Sequence, residues 1–276
     1  MNTPQSPLIT FAQIVGPHPA ASHPCWVLLT ATDAHSIHNV PYRSLDKDPA
    51  QRAELVKIMG DWVVSHHVSA AAIARDRKRR EALARQGLND PTRRLPSDTN
   101  TQKGNWAEVF LAEYIVAAVN ATLPVFRLRY NTNVDQSMKG DDVLAFDFAS
   151  HPVRILVGES KFRSTPSKAT VDELITALEK SHHGHIPASL QFVAERIFES
   201  GNLALGEKVA DCNVLFAEGK LRLDYVGLFV STKKVHDYVR DNAKTTIPGL
   251  ALISFALSDP SGIVADSFAK AGEILK

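Results

Sequence analysis

The sequence predicts a mixed α/β fold, with strands and helices interleaved through one large region and a smaller N-terminal region before it. Three observations carry this. Residues 140–162 hold two apolar, β-branched runs on either side of the polar turn Ser150-His151-Pro152, which is the pattern of a β-hairpin. Residues 103–121 are apolar around nearly the whole helical circumference, which predicts a helix buried on most sides. After the hairpin, strand-like runs at 221–230 and 249–257 alternate with stretches of helical spacing.

Taken in order, residues 8–11 and 26–30 read as short strands. A helix starts near Asp48-Pro49, because proline fits the first helical turn, and runs to Met59. Residues 62–64 fit either a strand or the end of that helix. Residues 69–86 form a helix closed by Gly87, and 89–102, polar with two prolines, reads as a linker. This divides the chain into an N-terminal region, 1–95, and a core region, 96–276. A strand at 125–130 precedes the hairpin. Beyond it come a helix carrying Val171, Leu174, Ile175 and Leu178, a helix at 187–200, the strand at 221–230 and a short helix at 235–239. The strand at 249–257 and a closing helix at 261–275, with Ser261 as its N-cap, complete the series.

The chain has 276 residues, enough for one large domain or two small ones with a sizeable core. Its net charge of +1 neither predicts nor excludes a nucleic-acid partner. Two cysteines, Cys25 and Cys212, make neither a disulfide framework nor a zinc cluster and fit a reducing compartment. Met1 to Pro7 lack the blocks of a signal peptide, and no apolar run approaches the roughly 20 residues that span a bilayer. The expectation is a soluble, cytoplasmic protein with no membrane partner.

Charge is concentrated in two places. The helix at 69–86 carries Arg75, Arg77, Lys78, Arg79, Arg80 and Arg85 against Asp76 and Glu81. It reads either as a contact surface for a phosphate backbone or partner, or as a solvated face. The second place is the hairpin. A register centred near residue 150 or 151 puts Asp142 opposite Glu159, and opposed residues share a face of the sheet. Glu159 and Lys161 share that face because side chains alternate. Glu108 joins them from the helix at 103–121, where its surface neighbours are Leu111, Ala112, Ile115 and Val119. A carboxylate among apolar residues is costly unless it is paired or binds a metal. Arg163 and Lys168 bound a polar loop suited to phosphate.

Asp142, Glu159 and Glu108 are hard oxygen donors of the kind that hold Mg²⁺. Lys161 beside them can orient or help deprotonate a water and offset charge on a phosphorane, so the group suits phosphodiester hydrolysis. A surface hairpin with a Glu–Lys pair is the bland alternative. Other chemistries lose support: Gly-x-x-x-x-Gly-Lys-Ser/Thr and Gly-x-Ser-x-Gly are both absent. His182-His183-Gly184-His185 ends a helix, where histidines meet terminal carbonyls, and the adjacent His66-His67 cannot share a helix face.

A helical Glu, a strand-start Asp and Glu-x-Lys ending the next strand, in that order over about residues 103–230, resemble the PD-(D/E)xK nuclease superfamily. The resemblance implies a central mixed sheet flanked by helices. The superfamily's proline is replaced by Gly140-Asp141, which leaves Asp141 and Asp142 as alternative ligands. More narrowly, Gly104-Asn105-Trp106-Ala107-Glu108, Lys139-Gly140-Asp141-Asp142 and Gly158-Glu159-Ser160-Lys161-Phe162 resemble the HamA family, the nuclease subunits of Hachiman anti-phage defence, over about residues 100–260. That resemblance implies a DNase using Mg (or Mn), with Glu108, Asp142, Glu159 and Lys161 as site residues, working on DNA beside a separate helicase subunit, HamB. A restriction-type endonuclease with its own specificity partner, and a catalytically silent module that binds DNA or protein, are the alternatives.

Overall fold

Along residues 221–231, Val226, Leu228 and Val230 enter one apolar cluster while Tyr225 and Phe229 enter another. A strand apolar on both faces belongs in the middle of a sheet covered on both sides. The computed structural model describes residues 8–184 and 186–276. Met1 to Pro7, where the signal-peptide question falls, and His185 of the histidine run lie outside the described residues.

In chain order the elements are α1 (Phe11–Val15), α2 (Pro24–Val27), β1 (Leu29–His35), β2 (Pro41–Lys47), α3 (Arg52–His67), α4 (Ala70–Ala84) and α5 (Thr99–Val119). There follow β3 (Val143–Asp147), β4 (Val153–Phe162), α6 (Lys168–His183), α7 (Leu190–Glu199), α8 (Leu203–Ala210) and α9 (Cys212–Ala217). The chain then continues through β5 (Leu221–Ser231), α10 (Val235–Asn242), β6 (Leu250–Ala256) and α11 (Pro260–Ile274). The strands form one six-stranded sheet in the order β1-β2-β6-β5-β4-β3. The three inner pairings are parallel and the two outer ones antiparallel, so the sheet is mixed. α1, α2, α3, α5 and α11 cover one face, and α6, α7 and α10 the other. The expected mixed sheet between helices is the architecture found.

β2 lies before residue 95, yet it pairs in parallel with β6, and α3 packs on α11. Residues on both sides of the expected boundary therefore share one sheet and one core.

Several expected elements differ, each for a local reason. Residues 8–11 are not a strand: Thr10 and Gln13 form a reciprocal capping box that starts α1. Residues 26–30 divide, with His23 capping and Pro24 opening the single turn α2 before β1 begins. Residues 62–64 continue α3. The stretch 125–130 contains a 3₁₀ turn, Arg127–Tyr130, rather than a strand. Phe126, Leu128 and Tyr130 alternate with Arg127 and Arg129 as they would in a strand, but the buried residues are Val125 and Leu128, three apart, a spacing that suits three residues per turn and not alternation. α8 and α9 were not anticipated, and α11 is capped by Asp259 rather than Ser261.

Candidate metal-assisted hydrolase site

The site arises where the outer ladder stops. β3 and β4 pair Val143 with Gly158 and Asp147 with Arg154, which is the register expected from the sequence. β3 begins at Val143, so residues 159–162 of β4 extend beyond it with β5 on one side and, among the described residues, no strand on the other. Gly158 is required at this edge, since a Cβ there would come within 2.8 Å of Val143 Cβ and 3.0 Å of a Leu111 methyl on α5. Asp142 ends the ladder: its Oδ2 accepts from the Ser160 backbone N–H at 2.9 Å and from the Ser160 hydroxyl at 2.8 Å. Asp141 turns the other way. Its carboxylate accepts from the Ser181 hydroxyl and the Ser189 N–H, tying the strand start to α6 and α7.

Beyond the ladder, the Lys161 ammonium donates to Glu159 Oε1 at 2.5 Å. Glu108 is buried on α5 and lies 3.3 Å from the Arg127 guanidinium. Arg127 also donates to the carbonyls of Met138 and Asp141, so it joins α5 to the loop leading into β3. Gly140, at φ +106°, lets that loop pass Ser189, whose hydroxyl would lie 2.6 Å from a Cβ.

Burial, followed by the charge of Asp142, pushes the Glu159 carboxyl up to about 7 against the opposing pull of Lys161. Burial raises the Glu108 carboxyl well above its ordinary value. Arg127 opposes that shift, and Asp142 and Glu159 add to it. The carboxylates therefore feel one another across the site, and the cations beside them do not cancel the effect.

Glu108, Asp142, Glu159 and Lys161 all line one cleft of about 680 Å³, together with Lys103, Lys139, Arg163 and Lys180. Among the described residues, no group of three or more His, Cys, Asp or Glu side chains forms a metal cage. Mg²⁺ seldom needs one, since it is usually held by one or two carboxylates with substrate phosphates and waters. Asp142 and Glu159 fit that requirement. They are oxygen donors in one open cleft, and their mutual repulsion is what a cation relieves. Glu108 is already paired with Arg127.

A family model of HamA matches residues 25–271. The chain belongs to the HamA family. It is also 34% identical to the Hachiman protein HamA of Bacillus cereus over 258 residues, covering 92% of this chain and 93% of that protein.

The matched span includes the basic helix as well as the cleft. The α4 residues do not line the cleft. Only Ala72 and Asp76 of α4 are buried. Asp76 is held by Arg94 at 2.7 Å and Arg79 at 2.9 Å, and Arg79 also reaches Asp90. Arg79 therefore secures the helix to the following segment, whereas Arg75, Arg77, Lys78 and Arg85 are exposed. Arg163 lines the cleft but pairs with Glu173, and Lys168 sits exposed at the start of α6, outside the cleft. The histidines serve the fold: His66 meets Glu113 at 2.7 Å, His67 meets Asn105, and His182 lies 3.3 Å from the Tyr225 hydroxyl. The residue that sequence reasoning missed is Arg127. Its only local signal is a cation in a stretch whose alternation resembles a strand. No helix is long and apolar enough to cross a membrane among the described residues.

Proposed function

We propose that this HamA-family chain is a Mg²⁺- or Mn²⁺-dependent DNase and the effector of a Hachiman anti-phage defence complex that includes a helicase subunit. The observation that carries the reading is the cluster at the end of β4. Asp142, Glu159 and Lys161 meet in a cleft rimmed by lysines, with Glu159 pushed up to about 7. The similarity to a Hachiman protein supports the defence setting.

The lysine and arginine side chains along the cleft draw in the phosphate backbone, a sequence-independent attraction. Asp142 commits Oδ2 to Ser160, which fixes its orientation, and Oδ1 has no hydrogen bond among the described residues. Bound to Asp142 and Glu159, the metal would supply Lewis-acid polarisation of the phosphate and an acidified water. Lys161 is held by Glu159 within reach of the same space. As an ammonium it orients the attacking water and offsets charge on the phosphorane, while the water, acidified by the metal, would release its proton to solvent. Glu108 lines the cleft, and its partner Arg127 holds the loop entering β3 through the Met138 and Asp141 carbonyls.

Plasmid DNA incubated with the protein and Mg²⁺, with and without its helicase partner, tests this reading beside Glu159→Ala and Lys161→Ala. The expected outcome is Mg²⁺-dependent cleavage that falls about 100-fold or more in each variant. No cleavage under any condition, or cleavage indifferent to both substitutions, overturns it.

A further inference from the structure

Behind the carboxylate cleft lies a second cavity of about 320 Å³, which the hydrolytic reading does not use. Glu108, Met138, Lys139, Gly140 and Asp142 line both spaces, so the two cavities meet at the loop entering β3. Unlike the cleft, this cavity is walled mainly by apolar groups: Leu123, Val125, Phe126, Leu144, Phe192 and Val193. Its polar lining includes the Arg127 guanidinium, the His66 ring and the carboxylates of Glu108, Asp141 and Asp142. Its size is at the lower end of small-molecule pockets, roughly 300–1,000 Å³, and suits a single flat ring.

Rings and guanidinium groups cluster around this cavity. Arg129 lies 4.3 Å over the Phe126 ring, and among the described residues its guanidinium donates only to the neutral Ser65 carbonyl. Tyr130, 40% exposed, meets Phe192 edge-on at 5.8 Å, and Arg196 lies 5.6 Å from both rings while pairing with Glu199. Exposed aromatic rings interleaved with cations are how proteins hold unpaired bases, stacking them while positive charge follows the backbone.

We propose that this cavity receives one unpaired nucleobase of a single DNA strand whose adjacent phosphate lies in the carboxylate cleft. The inference rests on the nuclease reading and adds its substrate class. A base within a duplex is stacked and paired, so its ring is not available to the pocket until the strands separate. The apolar wall takes the ring faces, Tyr130 and Phe192 at the mouth take the neighbouring base, and Arg129 and Lys139 follow the backbone. A separated strand is also what a helicase subunit produces.

Binding is measured with full-length protein in EDTA, using a short single strand that carries 2-aminopurine at one position and the matching duplex. The expected result is quenching of the single strand and affinity at least about 10-fold above that for the duplex. Tyr130→Ala and Phe192→Ala each weaken single-strand binding about 10-fold. Ala188 lines the cavity and is exposed, so Ala188→Trp narrows the mouth without touching the core and has a similar effect. Thermal melting confirms that each variant is folded. Equal affinity for strand and duplex, or single-strand binding unchanged in all three folded variants, overturns the pocket. Cleavage of the same strand with Mg²⁺, with and without the helicase partner, is read separately. Cleavage with variant-indifferent binding overturns the pocket alone, while ring-dependent binding with no cleavage overturns the nuclease reading and leaves the pocket standing.

Discussion

Asp76 on α4 and Glu159 on β4 are both largely buried carboxylates, and their surroundings drive them in opposite directions. Asp76 is met by Arg94 and Arg79, and the hydrogen bond from Arg94 is the main cause holding its carboxyl below the usual range. Glu159 has Lys161 at 2.5 Å, yet burial and the nearby Asp142 drive its carboxyl up to about 7. A structural carboxylate is surrounded by more positive than negative charge. At Glu159 burial and the charge of Asp142 outweigh Lys161, a local excess that a bound cation would relieve, while the lysines along the cleft remain for a phosphate.

The strongest way to break this comparison is to separate the two adjacent aspartates. Asp142→Asn is expected to lower Mg²⁺-dependent cleavage about 100-fold while keeping the fold. Asp141→Ala, which leaves Ser181 and Ser189 without their acceptor, should instead cost about 1–3 kcal/mol of stability. Paired rate and urea-unfolding measurements check this, and the same profile for both variants removes the distinction. On α4, Asp76→Ala leaves two arginines facing each other. It should cost about 1–2 kcal/mol, below the value for a fully buried pair because both arginines are partly in solvent. Chemical denaturation reads that loss, and an unchanged midpoint shows the network to be idle.

A third comparison concerns the exposed cations. Reversing Arg75, Arg77 and Lys78 together should weaken DNA or partner binding about 5- to 10-fold at low salt, with a shallower salt slope if phosphates are the contact. Unchanged affinity and slope make α4 a solvated face. Arg79 is left out because it pairs with Asp76 and Asp90.

The smallest expected effect is in stability against pH, and its sign differs between the two carboxylates. The folded pKa of Glu159 is raised from 4.5 to about 7, so its stabilising contribution in the metal-free protein is full below about 4.5 and is lost as pH rises through about 7. Asp76 is shifted below 3.8, so its contribution is present above about 3.8 and is lost as pH falls through its lowered folded value. Melting temperatures across both windows, with Glu159→Gln and Asp76→Asn, check the two slopes. Glu159→Gln should flatten only the neutral window and Asp76→Asn only the acidic one.

Much of the fold could be read from local pattern. The hairpin register was legible because a one-residue slip would turn every apolar side chain of β3 and β4 to the wrong face. The position of Glu108 was legible because helical periodicity places it among Leu111, Ala112 and Ile115, and it is indeed buried there. The 3₁₀ turn at Arg127–Tyr130 was not legible, since Phe126, Leu128 and Tyr130 alternate with Arg127 and Arg129 as they would in a strand. Nor was the pairing of Arg79 with Asp90, or of Arg94 with Asp76, because both link α4 to a segment without periodic structure.

The sequence by itself determined the long helices, the central strands and the register of the hairpin, and that Asp142, Glu159 and Lys161 belong to that hairpin. These are short-range properties set by period, turn chemistry and β-branching. Tertiary structure decided which charges are compensated. It gave Arg127 to Glu108, directed Asp141 to α6 and α7, and joined β2 to β6 across some two hundred residues. A charge's energy depends on every group packed around it, and those neighbours come from distant parts of the chain.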